Sequence, residues 1–254
     1  MVSLAYQRDA APLPALLARK TLHEIAPAAP ADGPAAFGFA LGLAAKFLAA
    51  SPAHGLIVAE DFALREHGAL YAPGLAAHGL DLDRIVFARA PNALAAFAAM
   101  EEGLKSGALA FALGEIWDLR PYSLTVSRRL LLAARKGATP GLLVQPGAYR
   151  LAGHLSTAAE TRLEIAAAPS KPRAPAGGWR PLPGAPAFRA RLVKAKLGQG
   201  PPGDIDPDKV FLLHWRGDLH DFDGFNSGQP AIPQPLASAL ADRPGAAPQR
   251  RRAG

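Results

Sequence analysis

Gly33-Pro34-Ala35-Ala36-Phe37-Gly38-Phe39-Ala40 has the glycine spacing of a phosphate-binding loop without the residues that bind phosphate. A working loop reads G-x-x-x-x-G-K-[ST]: backbone N–H groups cradle the phosphates, the lysine reaches the β and γ oxygens, and the hydroxyl holds Mg²⁺. Here Phe39 stands at the lysine position and Ala40 at the hydroxyl position. Leu22-His23-Glu24-Ile25 reads as a strand before the loop and Phe39 to Ala50 as an alanine-rich helix after it, the order such a loop requires. Lys46 is the only lysine between Thr21 and Ala50 and lies too far along the helix to replace the missing one. In this register Gly33, Gly38, Phe39 and Ala40 form a degenerate phosphate loop, and neither a cofactor nor a metal is expected. The alternative is a Gly/Pro linker into a buried helix, with Phe37, Phe39, Leu41, Leu43, Phe47 and Leu48 as plain core.

Outward from this stretch, short apolar runs alternate with helical ones, which predicts an α/β fold with a mainly parallel sheet flanked by helices. Leu56–Ala59, Arg84–Ala88, Leu109–Gly114 and Gly141–Val144 read as strands. Leu64–His78 reads as helical or irregular, broken by Pro73-Gly74, and Ala93–Leu104 as a helix. Leu124–Lys136 reads as a helix capped by Ser123, whose hydroxyl can accept an orphan backbone N–H. After Pro146 the segments Thr161–Ala166 and Phe188–Lys194 alternate polar and apolar residues, and Val210–Trp215 closes the ordered part. These three predict a C-terminal antiparallel extension of the sheet. The expected division is an N-terminal helix or arm over 1–20, one domain over 21–225, and a disordered basic, Pro-rich tail over 226–254. The helix before Lys20, the Lys171–Gly200 stretch and the tail are expected to be exposed docking elements. No internal repeat is present.

A chain of 254 residues with 50% hydrophobic content can bury a sizeable core. With no cysteine, disulfides, zinc ribbons and thiol catalysis are excluded. No apolar run is long enough for a membrane span, and Met1–Lys20 lacks the basic-then-apolar order of a signal peptide, so a cytoplasmic location is the default expectation. The seven histidines show no metal-ligand spacing, His214 and His220 included, and no serine sits in a nucleophile elbow. Trp179, Trp215 and Tyr71 are expected to be core or loop anchors rather than base-stacking platforms.

The net charge is +7, and Lys171–Gly200 alone supplies seven cations without an acid. A basic segment of this kind attracts a nucleic-acid backbone or an acidic partner, or is simply a solvated loop. Arg189, Arg191, Lys194 and Lys196 fall on or beside an expected strand hairpin. Arg128 and Arg129 sit together on a helix whose last turn holds Arg135 and Lys136, where cations also complement the helix dipole. These six residues, Arg128, Arg129, Arg189, Arg191, Lys194 and Lys196, are the candidate partner or DNA contacts.

The order of several motifs adds a resemblance. Val58-Ala59-Glu60-Asp61, Tyr71-Ala72-Pro73-Gly74-Leu75 and Gly79-Leu80-Asp81-Leu82-Asp83-Arg84-Ile85 resemble the RecA core around the strand that carries its catalytic glutamate. Leu70–Leu75, Met100–Leu104, Leu113–Glu115, Ser127–Ala134 and Ser156–Arg162 look like the ImuA family, RecA-like accessory proteins of damage-induced mutagenesis. The resemblance spans Thr21 to Trp215. It implies a non-catalytic role in SOS-induced translesion DNA synthesis, with a Y-family-like polymerase homologue of the ImuB type as partner. RecA and an error-prone replicative-type DNA polymerase are further implied partners, with DNA contact through 171–200 and no membrane.

Glu60 matches the RecA glutamate that polarises the attacking water, and Glu115 lies near the position of a metal-holding aspartate. A general base without a phosphate cradle has nothing to act upon, so no enzyme activity is expected. Within the RecA-like resemblance, Lys194-Ala195-Lys196 stands where a Lys-Asn-Lys hairpin is expected. The alternatives are a SulA-type cell-division inhibitor, which shares the RecA-like shape, and a residual RecA-like ATPase or recombination mediator.

Overall fold

The structure, a computed structural model, describes residues 13–151, 156–170, 183–195 and 210–225. The expected tail, Trp179 and Lys196 lie outside the described residues. The helices are α1 (Leu13–Leu17), α2 (Gly33–Ala49), α3 (Asp61–His67), α4 (Ala72–Ala77), α5 (Ala93–Ser106) and α6 (Leu124–Gly137). The strands are β1 (Leu22–Pro27), β2 (His54–Glu60), β3 (Ile85–Ala90), β4 (Leu109–Glu115) and β5 (Gly141–Val144). They continue as β6 (Thr161–Ala168), β7 (Ala187–Ala195), β8 (Val210–Arg216) and β9 (Asp221–Phe225).

All nine strands form one sheet in the order β3-β2-β4-β5-β1-β6-β7-β8-β9. The pairs from β3 through β6 are parallel, and β7, β8 and β9 add antiparallel strands. This is the α/β, mainly parallel sheet with an antiparallel extension that the residue pattern predicts, and it is consistent with a RecA-like fold. Leu109–Gly114 is apolar on both faces because β4 lies in the middle of the sheet, covered on each side.

The two faces carry separate cores. On one, α1, α2 and α4 pack over Ile25, Ile57, Leu113, Leu142 and Leu163. On the other, α5 and α6 pack over Leu22, Val58, Ala112 and Leu143. Asn92 caps α5 by accepting from Ala95 N–H at 3.0 Å, and Ser123 caps α6 by accepting from Val126 N–H at 3.3 Å.

Helix α2 is apolar nearly all round because it is buried on more than one side. The sheet lies under it, and aromatic residues of the antiparallel strands close over it. Phe39 meets Phe188 edge-on at 5.7 Å and Phe222 at 5.0 Å between ring centres, and Trp215 lies 4.8 Å from Phe222. A Cβ on Gly42 would stand 2.7 Å from the Phe222 ring and 3.0 Å from Trp215, so only glycine admits these rings to the helix.

Two features depart from the expectation. The alternation continues past Trp215 into β9, whose Phe222 completes the aromatic cover. Of the arm expected over 1–20, residues 1–12 lie outside the described residues; in α1, Leu13, Leu16 and Leu17 are buried in the same core as α2 rather than exposed for docking.

Candidate functional site

In a parallel α/β sheet, ligands bind at the carboxyl ends of the strands, where connections leave to opposite faces. Here β1 leads to α2 on one face, while β4 leads to α6 on the other. The turn after β1 is Ala28–Asp32, and Gly33 already has helical backbone angles (φ −50°, ψ −52°). The octapeptide Gly33–Ala40 is therefore the first two turns of α2, not a loop. Gly33 and Pro34 occupy the opening positions of a helix, where the missing proline N–H is no loss. Phe39 and Ala40 are 0% exposed in the core beneath the aromatic cover. The positions that would hold a phosphate-binding lysine and a metal-binding hydroxyl thus face away from solvent.

The start of α2 carries a carboxylate. Asp32 precedes the helix, and its Oδ1 accepts from Ala167 N–H of β6 at 2.9 Å, which ties the turn to the sheet. At the end of β2, Glu60 is buried and its Oε2 accepts from the backbone N–H groups of Trp117 (3.0 Å) and Asp118 (3.2 Å). Phe62 packs edge-on against Trp117 at 5.6 Å. The residue that matches a catalytic base is therefore holding the chain just after β4. Glu115 is likewise buried, at the end of β4. Among the described residues, no three His, Asp or Glu side chains converge on a point that could hold a metal ion.

The other face holds a buried polar cluster that the sequence analysis missed. Glu24 in β1 is fully buried and paired with Arg162 of β6, Nε to Oε2 2.7 Å. It also accepts from Thr157 Oγ1 at 2.5 Å and from the Tyr122 hydroxyl. Burial first, and then the Glu24 carboxylate, push the Tyr122 phenol far above its ordinary value. On the opposite face of β1, His23 bridges Thr161 Oγ1 (2.7 Å) and the Arg19 carbonyl (2.9 Å), and its burial pulls the imidazole below the ordinary 6.5. Glu160 binds Arg135 at 2.7 Å and Arg19 at 3.3 Å. Burial opposes its charge, but hydrogen bonds led by that from Arg135 keep its carboxyl below the ordinary value. A buried acid inside Leu22-His23-Glu24-Ile25 and an arginine in the next alternating strand were the available signal.

The candidate cations among the described residues lie on the Glu24 side of the sheet. Helix α6 packs on the core there, and in β7 the residues opposite Arg162, Glu164 and Ala166 are Lys194, Arg191 and Arg189. They are not equally available. Arg129 pairs with Glu101 at 2.6 Å, Arg191 pairs with Glu164, and Lys194 Nζ donates to the Thr157 carbonyl at 2.5 Å. Arg128 and Arg189 are exposed and enter none of these bonds. The expected patch is thus partly consumed by the protein's own acids and carbonyls. His214 and Trp215 are buried, with Trp215 Nε1 donating to the His78 carbonyl at 3.0 Å, whereas Tyr71 is 73% exposed.

No protein-family model matches the chain, and no curated protein matches it in sequence. Among solved structures it is similar to SulA from Pseudomonas aeruginosa, with a TM-score of 0.40 and 20% identity over 50% of this chain and 98% of that one. No helix among the described residues is long and apolar enough to cross a membrane.

Proposed function

We propose that this chain is a non-catalytic adaptor on a RecA-like sheet, serving damage-inducible mutagenic translesion DNA synthesis by binding a Y-family-like polymerase homologue of the ImuB type. RecA and an error-prone replicative-type polymerase are its further partners in this reading. The observation that carries the non-catalytic half is the burial of Phe39 and Ala40 at the two positions where nucleotide chemistry needs a lysine and a hydroxyl. Asp32 at the start of α2 and the Glu60 contacts with Trp117 and Asp118 favour the same reading, since carboxylates at the carboxyl ends of the strands repel a polyphosphate. The partner half rests on the ordered motifs from Leu70–Leu75 to Ser156–Arg162 and their resemblance to the ImuA family.

With no nucleotide to turn over, the chain acts through its surfaces. Arg128 and Arg189 are the cations with most freedom to meet an acidic partner or a DNA backbone, and Arg129, Arg191 and Lys194 must first exchange an internal bond. The test is affinity purification of a tagged copy from DNA-damaged cells. Recovery of a Y-family-like protein supports the adaptor. Recovery of a tubulin-like division protein instead overturns it in favour of a division inhibitor, and recovery of neither overturns the partner half.

A further inference from the structure

Helix α6 has an outward face as patterned as its buried one. Ser127, Leu130, Leu131, Ala133 and Ala134 are buried, and the exposed residues of the helix all fall within an arc of about 140° on the other side at 3.6 residues per turn. Leu124, Arg128, Leu132 and Lys136 follow one another there at intervals of four, so leucine and cation alternate turn by turn over about 18 Å. Leu124 is 51% and Leu132 52% exposed. A lone exposed leucine is ordinary, but two in one row with a cation between them form a pattern.

The charge of this face is one-sided. Helix α6 carries Arg128, Arg129, Arg135 and Lys136 and no acid. Glu101 of α5 takes up Arg129, and Glu160 takes up Arg135. Arg128 and Lys136, the two cations of the leucine row, are exposed and enter no ion pair among the described residues.

This mixture selects among occupants. A nucleic-acid backbone can use Arg128 but gains nothing from the leucines, which would strip phosphates of water without pairing them. A bilayer surface needs a broad apolar face, and here apolar side chains alternate with charges. A second copy of α6 would set cation against cation. A partner helix with acids and apolar residues alternating at the same interval answers both components of the row. Because α6 is packed on the core and capped by Ser123, it offers the row already ordered, without the entropy cost of arranging it.

We infer that the outward row Leu124-Arg128-Leu132-Lys136 is a docking face for an acidic amphipathic helix of a partner protein. It gives the adaptor reading a surface, and rests on that reading for the partner's identity but not for the chemistry of the face.

The probe is a labelled helical peptide with Leu, Glu, Leu and Glu at intervals of four on one face, titrated with the full chain and followed by fluorescence anisotropy. A peptide of the same composition in scrambled order is the control. Saturable binding of the patterned peptide is expected, at least about tenfold tighter than that of the scrambled one. Leu124→Ser with Leu132→Ser, and separately Arg128→Glu with Lys136→Glu, are each expected to weaken it at least about tenfold. All four residues are exposed, so the circular dichroism of both double variants should match the parent. Single-stranded DNA binding is expected to be unchanged in the leucine variant. No saturable binding, equal binding of the two peptides, or a leucine variant that binds the peptide as the parent does overturns the inference. So does a leucine variant that loses DNA binding and keeps the peptide. If no Y-family-like protein is recovered from cells while the peptide binds in the expected pattern, the adaptor reading fails and the docking face stands.

Discussion

The Glu60 carboxylate accepts the backbone N–H of Trp117 at 3.0 Å, across the carboxyl ends of neighbouring strands β2 and β4. The residue that resembles a catalytic base is thereby fixed to the polypeptide that follows β4. Both the Trp117 and the Asp118 N–H donate to one of its oxygens, so the carboxylate holds this stretch of chain in place.

Replacing Glu60 therefore changes stability. Glu60→Ala leaves two donors without their acceptor in a buried site, a loss of about 1–3 kcal/mol for such a group. Glu60→Gln keeps an amide oxygen in place and loses less. Urea denaturation of both variants checks this order; equal stability of Glu60→Ala and the parent refutes it.

Placing lysine and threonine at the two phosphate-loop positions is not expected to create nucleotide binding. Phe39 and Ala40 are 0% exposed, and Phe39 is held between Phe188 and Phe222. Phe39→Lys with Ala40→Thr buries a charge and is expected to unfold the chain rather than bind ATP. The milder Phe39→Ala is expected to cost about 3–5 kcal/mol, measured by thermal or urea unfolding. A folded Phe39→Lys/Ala40→Thr protein that gains Mg²⁺-dependent ATP binding contradicts this placement of α2.

Acid weakens the fold through buried His23 and half-buried His78. Burial is the largest cause that lowers both His23 and His78 from the ordinary 6.5. Above 6.5 both are neutral in the folded and the unfolded chain, and their stabilisation is fully present. Below it the unfolded chain takes up protons that the folded chain refuses, so stability falls as pH falls through the lowered folded values. Unfolding free energies between about pH 7 and pH 5 are expected to decline, and His23→Gln with His78→Gln flattens that slope. A slope unchanged in the double variant removes these histidines as its source.

The free cations matter more than the paired ones for any DNA contact. Arg191 is paired with Glu164 and Lys194 with the Thr157 carbonyl, whereas Arg189 and Arg128 are exposed and enter no ion pair among the described residues. Single-stranded DNA binding, followed against salt concentration, is expected to lose more with Arg189→Ala and Arg128→Ala than with Arg191→Ala. Replacing Arg189, Arg191, Lys194 and Lys196 together flattens the salt dependence, each phosphate contact contributing about 0.7 to the slope for single strands. Unaltered binding in the fourfold variant shows that these residues do not touch DNA.

The strands and helices were legible where the period was strong. Leu109–Gly114 and Ser123 with Leu124–Lys136 are found as strand and capped helix because continuous apolarity and a cap are local signals. Gly33-Pro34 was misleading, since glycine and proline punctuate loops but also open helices, and only the core contacts of Phe39 decide between the two. Strand β9 escaped notice because Asp221 and Asp223 disfavour a strand; the packing of Phe222 on Phe39 and Trp215 overrides that preference. The Glu24–Arg162 pair joins residues far apart in the chain, so neither strand alone discloses it. The cations on α6 and β7 were each visible, but their shared side and the acids that occupy some of them depend on register across the sheet.

The most direct test of the adaptor reading is calorimetric titration of the purified chain with a purified Y-family-like partner, with and without Mg²⁺-ATP. A saturable complex of the same affinity in both conditions is the predicted result. Failure to associate, or association only when ATP is present, contradicts the account of a nucleotide-independent adaptor.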